Sequence, residues 1–103
     1  MLHFQEVARM EEKVPIKSPS AAYQIIDGEA VIIVPSEQMV NVLNPVGSRI
    51  WDLADGRKSV GEIAKILTRE FDVPYETALN DAIEFTGDLA QKKMMDFAGE
   101  EKK

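Results

Sequence analysis

The sequence predicts an α+β domain, a three-stranded antiparallel meander followed by three helices. Three observations carry that prediction. Asp27-Gly28 stands between two β-rich runs, Tyr23-Gln-Ile-Ile26 and Glu29-Ala-Val-Ile-Ile-Val34, and Asp-Gly in that position favours a type I′ hairpin because both residues tolerate positive φ. A third β-branched run, residues 39–43, stops at Asn44-Pro45, where Asn suits a helix N-cap and Pro the first helical position. Beyond it, apolar residues recur at helical rather than alternate spacing.

Residues 1–20 read as a flexible N-terminal arm, broken by Pro15 and by Ser18-Pro19-Ser20. From Ala21 the strands follow one another through short connections, Asp27-Gly28 and then Pro35-Ser36-Glu37. Short connections give a meander in sequence order, which puts the third strand at an edge. A helix is expected over residues 45–54, with Val46, Ile50 and Leu53 on one face, Trp51 beside them, and Asp55-Gly56 ending it. Ser59-Val-Gly-Glu62 is a capping box for the second helix, whose Val60, Ile63, Ala64, Leu67 and Phe71 share a face up to Val73-Pro74. The third helix runs from about Pro74 to Lys93, with Glu76 in its first turn and Lys92-Lys93 at its end, both matched to the helix dipole. The domain proper spans residues 21–97 and a charged tail fills 98–103. Strands and helices in this order make a winged-helix-like arrangement.

Composition removes several classes of function. The chain has 103 residues, 45% of them apolar, enough for one small core. With no cysteine there are no disulfides, thiolate zinc sites or iron–sulfur clusters. The one histidine is His3, in the arm, so neither a Ser/His pair nor a histidine metal cluster can be built. No phosphate-cradling GxxxxGK loop occurs. Carboxylates are plentiful, but they fall at helix ends and on polar faces rather than in a desolvated pocket. No catalytic residue, metal ligand or cofactor is therefore expected, and the chain is read as a non-enzyme. A net charge of −6 speaks against nucleic acid, no run approaches the roughly 20 apolar residues of a membrane span, and no signal segment is evident, so a cytoplasmic location is expected.

Two features point instead to binding. Residues 38–43 contain no charge, proline or glycine, the residues that usually blunt an exposed sheet edge. Such an edge is covered by its own chain (Val14 and Ile16 of the arm are candidates), by a twin in a homodimer, or by a foreign strand. On the third helix, Ala78, Ala82, Phe85 and Leu89 form one apolar stripe, and Tyr75, Leu79, Ile83 and Thr86 form a second beside it; Asp81, Glu84 and Asp88 lie opposite. The second stripe either packs against the rest of the domain or walls an apolar groove open to a partner.

The run Val42-Leu43-Asn44, Gly47, Ile50-Trp51, Leu53, Asp55-Gly56, Ser59-Val60 and Glu62-Ile63-Ala64, continued by Phe71-Asp72-Val73, Asp81, Phe85 and Leu89, resembles the PqqD family over residues 22–95. That resemblance implies a peptide-recognition domain for ribosomally made, post-translationally modified peptides. It implies a leader peptide added as a strand to the third strand, against the third helix, and presented to a modifying enzyme, a radical S-adenosylmethionine enzyme in the case of pyrroloquinoline quinone. Carried onto this sequence, Met39, Val40, Asn41 and Val42 are expected to pair with the peptide. Leu79, Ile83 and Thr86 are expected to wall the groove, with Tyr75 at its N-terminal end. Asn44, Trp51, Asp55, Gly56, Ser59 and Glu62 are read as structural. The alternatives are a winged-helix DNA-binding domain, for which Lys65 and Arg69 of the second helix are the cationic candidates, and a module that dimerises through its free edge.

Overall fold

Asp27 and Gly28 both take positive φ, +52° and +80°, and turn β2 (Ala22–Ile26) back on β3 (Glu29–Val34). The computed structural model describes residues 9–99; the expected start of the arm, with His3, and the end of the charged tail lie outside them. A 3-10 turn at Pro35–Glu37 leads into β4 (Met39–Val42), and the sheet order is β2-β3-β4, all antiparallel. The meander and its edge strand are thus as expected.

Three helices follow, α1 (Pro45–Leu53), α2 (Val60–Phe71) and α3 (Tyr75–Gln91). The Asn44 side chain accepts from Gly47 N–H at 2.7 Å, and Pro45 needs no acceptor at the first position. At α2 the capping box is complete: Ser59 Oγ accepts from Glu62 N–H at 3.1 Å, and Glu62 Oε1 accepts from Ser59 N–H at 2.8 Å. Past α3, Lys93 takes a left-handed φ of +63°, and Met94 N–H donates to Leu89 C=O at 2.9 Å. That reversal buries Met94 and Met95 and starts β5 (Met95–Phe97).

The ends of the domain differ from expectation. β1 (Pro15–Lys17) pairs antiparallel with β5, Pro15 opposite Phe97 and Lys17 opposite Met95. Pro15 and Ser18 are buried, and Gly56 N–H donates to Pro15 C=O at 3.0 Å. Residues 15–18, assigned by sequence to a flexible arm, are therefore packed on the body. Two strands of three residues, some eighty positions apart, carry no local pattern that would announce their pairing. Gly56 also serves differently from its expected role. α1 already stops at Leu53, and the bare Gly56 backbone (φ +81°) lets Ile16 Cδ1 approach to 2.9 Å of the place a Cβ would occupy.

Two apolar clusters fill the interior. One joins the three helices through Ile50, Leu53, Val60, Ile63, Leu67, Leu79 and Ile83. The other joins the sheet to α1 and the end of α3 through Ile32, Val34, Leu43, Trp51, Leu89, Met94 and Met95. Trp51 is fully buried, edge-on to Tyr23 at 5.4 Å, with Lys17 Nζ 5.5 Å over its ring. Arg49 braces α1 to α2 with a two-pronged bond to Glu70 at 2.8 Å, and that guanidinium holds the Glu70 carboxyl below its ordinary range.

Candidate functional site

The free side of β4 is decided by one hydrogen bond. Leu43 N–H donates to Ala30 C=O at 2.9 Å, and Ile32 lies opposite Asn41, Val34 opposite Met39. In an antiparallel ladder alternate residues bond the same neighbour. Met39, Asn41 and Leu43 are therefore spoken for by β3, whereas Val40 and Val42 turn their N–H and C=O groups outward. Among the described residues no strand pairs with that side. The arm, one of the expected covers, goes to β5 instead.

Side chains alternate accordingly. Val40 and Val42 are 66% and 61% exposed, on the outer face of the sheet with Ile33. Met39 and Asn41 point inward, where Met39 packs on the Leu89 and Met94 cluster and Asn41 Nδ2 reaches Met94 Sδ at 4.0 Å. The amide that interrupts an otherwise apolar strand thus faces the end of α3. Ion pairing of Lys93 with Glu37 at 3.3 Å ties that end to the turn before β4.

Ser48 of α1 fixes the other end of the strand. Its Oγ accepts from Ala30 N–H at 2.8 Å and donates to Leu43 C=O at 3.2 Å. The hydroxyl is thereby inserted into the last rung between β3 and β4. Sequence reading passed over this residue, since a serine one turn into an apolar helix has no signature of its own. Just beyond lies a cleft of about 590 Å³ between α1 and α3, lined by Asn44, Val46, Gly47, Ile50, Asp81, Glu84, Phe85 and Asp88. It opens two residues past Val42. Gly47 is needed there, because a Cβ would stand 2.8 Å from Phe85 Cε1.

Three of the four α3 residues expected to line a groove are buried. Leu79, Ile83 and Thr86 are only 6%, 4% and 0% exposed. The first two pack with Ile50, Ile63 and Leu67, and the Thr86 hydroxyl donates to Ala82 C=O at 2.8 Å within its own helix. Tyr75 is half-buried and donates to the Glu11 carboxylate; burial, and then that bond, push its pKa up to about 12. The second stripe is therefore core. The sector that borders the cleft runs Asp81, Glu84, Phe85 and Asp88, residues that the wheel divided between a core stripe and a solvated back. Apart from the half-buried Tyr75 and Phe85, both stripes are buried, because α3 packs on α1 and α2 along most of its length and on the sheet cluster at Leu89.

Comparison with known proteins follows the same lines. The family model described as Coenzyme PQQ synthesis protein D (PqqD) matches residues 29–95. The chain belongs to this family. No match was found among curated proteins. Among solved structures, TbiB1 in complex with the TbiA(beta) leader peptide is 29% identical, with a TM-score of 0.73, over 84% of this chain and 99% of that one. A lasso peptide synthetase B1 complexed with its leader peptide shares the fold at 19% identity and a TM-score of 0.73, over 81% of this chain and 98% of that one. The PqqD truncation of Methylobacterium extorquens PqqCD, a stand-alone recognition element for ribosomally synthesized and post-translationally modified peptides in solution, shares it at 24% identity and a TM-score of 0.67, over 81% and 88%. The α+β fold expected from the sequence is thus the fold of the PqqD family.

Proposed function

We propose that this chain is a non-catalytic peptide-recognition domain that takes the leader of a ribosomally made precursor peptide as a strand on β4 and presents it to a modifying enzyme. The observation that carries this reading is the open edge of β4, where Val40 and Val42 offer unpaired backbone groups beside a cleft. Main-chain pairing supplies affinity in such an arrangement, and side-chain pockets supply register and specificity. Membership of the PqqD family supports it, as does the likeness, over nearly its whole length, to TbiB1 holding a leader peptide. Val40 and Val42 are the pairing residues in this reading; Met39 and Asn41, expected to pair as well, have their backbone groups turned to β3 and their side chains to the end of α3. Leu79, Ile83 and Thr86 act only by holding α3 in place, and Tyr75 by anchoring its N-terminal end on Glu11. The enzyme served is a radical S-adenosylmethionine enzyme or another maturase, met in the cytoplasm where the peptide is made.

Amide shifts of the labelled chain, recorded while leader segments of precursor peptides encoded beside it are added, test the proposal. Shifts confined to residues 39–43 and to the cleft face of α3, with slowed exchange of the Val40 and Val42 amides, are the expected result. A flat response across the set, with those two amides already protected and a doubled mass in sedimentation, would put a second copy of the chain on the edge instead.

A further inference from the structure

The cleft between α1 and α3 is chemically two-sided. Its lining combines the apolar Val46, Ile50 and Phe85 with Asp81, Glu84 and Asp88 of α3. Three and four residues apart, these carboxylates share one helical face and repel one another. Asp88 is relieved by Lys92 at 3.1 Å. Asp81 and Glu84 have no ion pair with any described residue. The charge complementary to them is a cation, and the apolar residues beside them favour one with a hydrocarbon stem. Such a lining matches a side chain with an aliphatic stem and a cationic head.

We propose that this cleft receives a lysine or arginine side chain of the bound peptide, its stem over Val46, Ile50 and Phe85 and its head on Asp81 and Glu84. The proposal rests on the peptide-recognition reading above and specifies the ligand further: the strand on β4 carries a basic residue within about two positions of the one that pairs beside Val42, since the cleft opens at Asn44. Acidic leaders are rejected by the same carboxylates, because an unfavourable juxtaposition discriminates as effectively as a favourable one.

The probe is a displayed library of random 12-residue peptides selected on the full chain, with the best binder then synthesised. Its basic residue is replaced by norleucine, which keeps the stem and removes the charge, and both peptides are titrated against the wild-type chain and the Asp81→Asn/Glu84→Gln variant. Both substituted positions are exposed, and a thermal melt confirms that the variant folds. Selected peptides are expected to share one Lys or Arg position. The norleucine change should weaken binding to wild type by roughly tenfold, the scale of a charge-assisted hydrogen bond, and binding to the variant by less than about twofold. Binders that shift the Val40 and Val42 amides yet lack a fixed basic position, or lose equally to norleucine with both proteins, would overturn the cleft assignment and leave strand addition standing. If no peptide in the library shifts those amides, strand addition and the cleft assignment fall together. The wild-type salt dependence gives a decision without any substitution: affinity that does not weaken between 50 mM and 500 mM salt overturns the ionic contact.

Discussion

Val42→Pro separates peptide binding from folding, because the structure assigns the Val42 N–H to the open side of β4. The ladder bonds to β3 come from the residues on either side, as Leu43 N–H to Ala30 C=O shows. Proline at 42 therefore removes no internal hydrogen bond. The residue before it, Asn41, is already extended, as proline requires. Val42 is 61% exposed, so losing its packing on Val31 costs under about 1 kcal/mol. A strand added at this edge loses far more. Its carbonyl meets a ring where it met an N–H, and leaving such a group unpaired costs about 1–3 kcal/mol, or about 5- to 150-fold in Kd. Asn41→Pro is the opposite control, since its N–H belongs to the β3 ladder and its loss should unfold the edge. Calorimetric titration of a leader peptide, paired with a thermal melt, reads both quantities. A folded Val42→Pro chain that binds with unchanged Kd would refute strand addition at β4.

Four further outcomes follow from the packing. Ile83→Glu, a substitution expected to block a groove if Ile83 lined one, should instead cost on the order of 3–5 kcal/mol by placing a carboxylate in the helical core, and abolish the cooperative melt. Ser48→Ala should lower stability by about 1–3 kcal/mol by orphaning the buried Ala30 N–H, seen as a fall of several degrees in Tm. Asn44→Ala should cost about 1 kcal/mol through loss of the α1 cap, measured by urea denaturation. Tyr75, with its pKa pushed up to about 12 from 10.0, keeps its proton longer in the folded chain. The stability it lends is thus present below pH 10 and is lost as pH rises from 10 through 12. Tyr75→Phe should flatten that part of the stability–pH curve relative to wild type.

Much of the fold was legible because its signals are local. Asp27-Gly28, Asn44-Pro45 and the Ser59/Glu62 box each solve a backbone problem within four residues, and each is found where expected. The open edge of β4 was legible too, as a run without charge, proline or glycine. Two features were not. The β1–β5 pair depends on a contact between distant segments too short to show any period. The phase of α3 against the groove was also hidden, because a wheel gives the relative angles of residues but no outside reference. Two adjacent apolar stripes looked like one core face plus one free face. α3 buries most of both, and the cleft takes Phe85 together with acids that a wheel assigns to solvent. Composition cannot distinguish a carboxylate facing a groove from one facing bulk water.

The pairing of β1 with β5 also has a mechanical consequence. Pro15 lies opposite Phe97, so a stem of two short strands holds the two ends of the strand-and-helix body side by side, and residues 10–13 ahead of it pack on the helices. Tension applied to both ends would peel that stem one pair at a time, since each hydrogen bond lies along the pull rather than across it. On the N-terminal side a load would first meet the contacts of Met10, Glu11 and Lys13 with the helices, and then the stem. The same closed outline lets a flexible linker on either side carry the domain as a bead, or lets it sit inside a longer polypeptide. Trimming the chain at residue 20 would leave β5 without its partner and bare the Met95 side of the core.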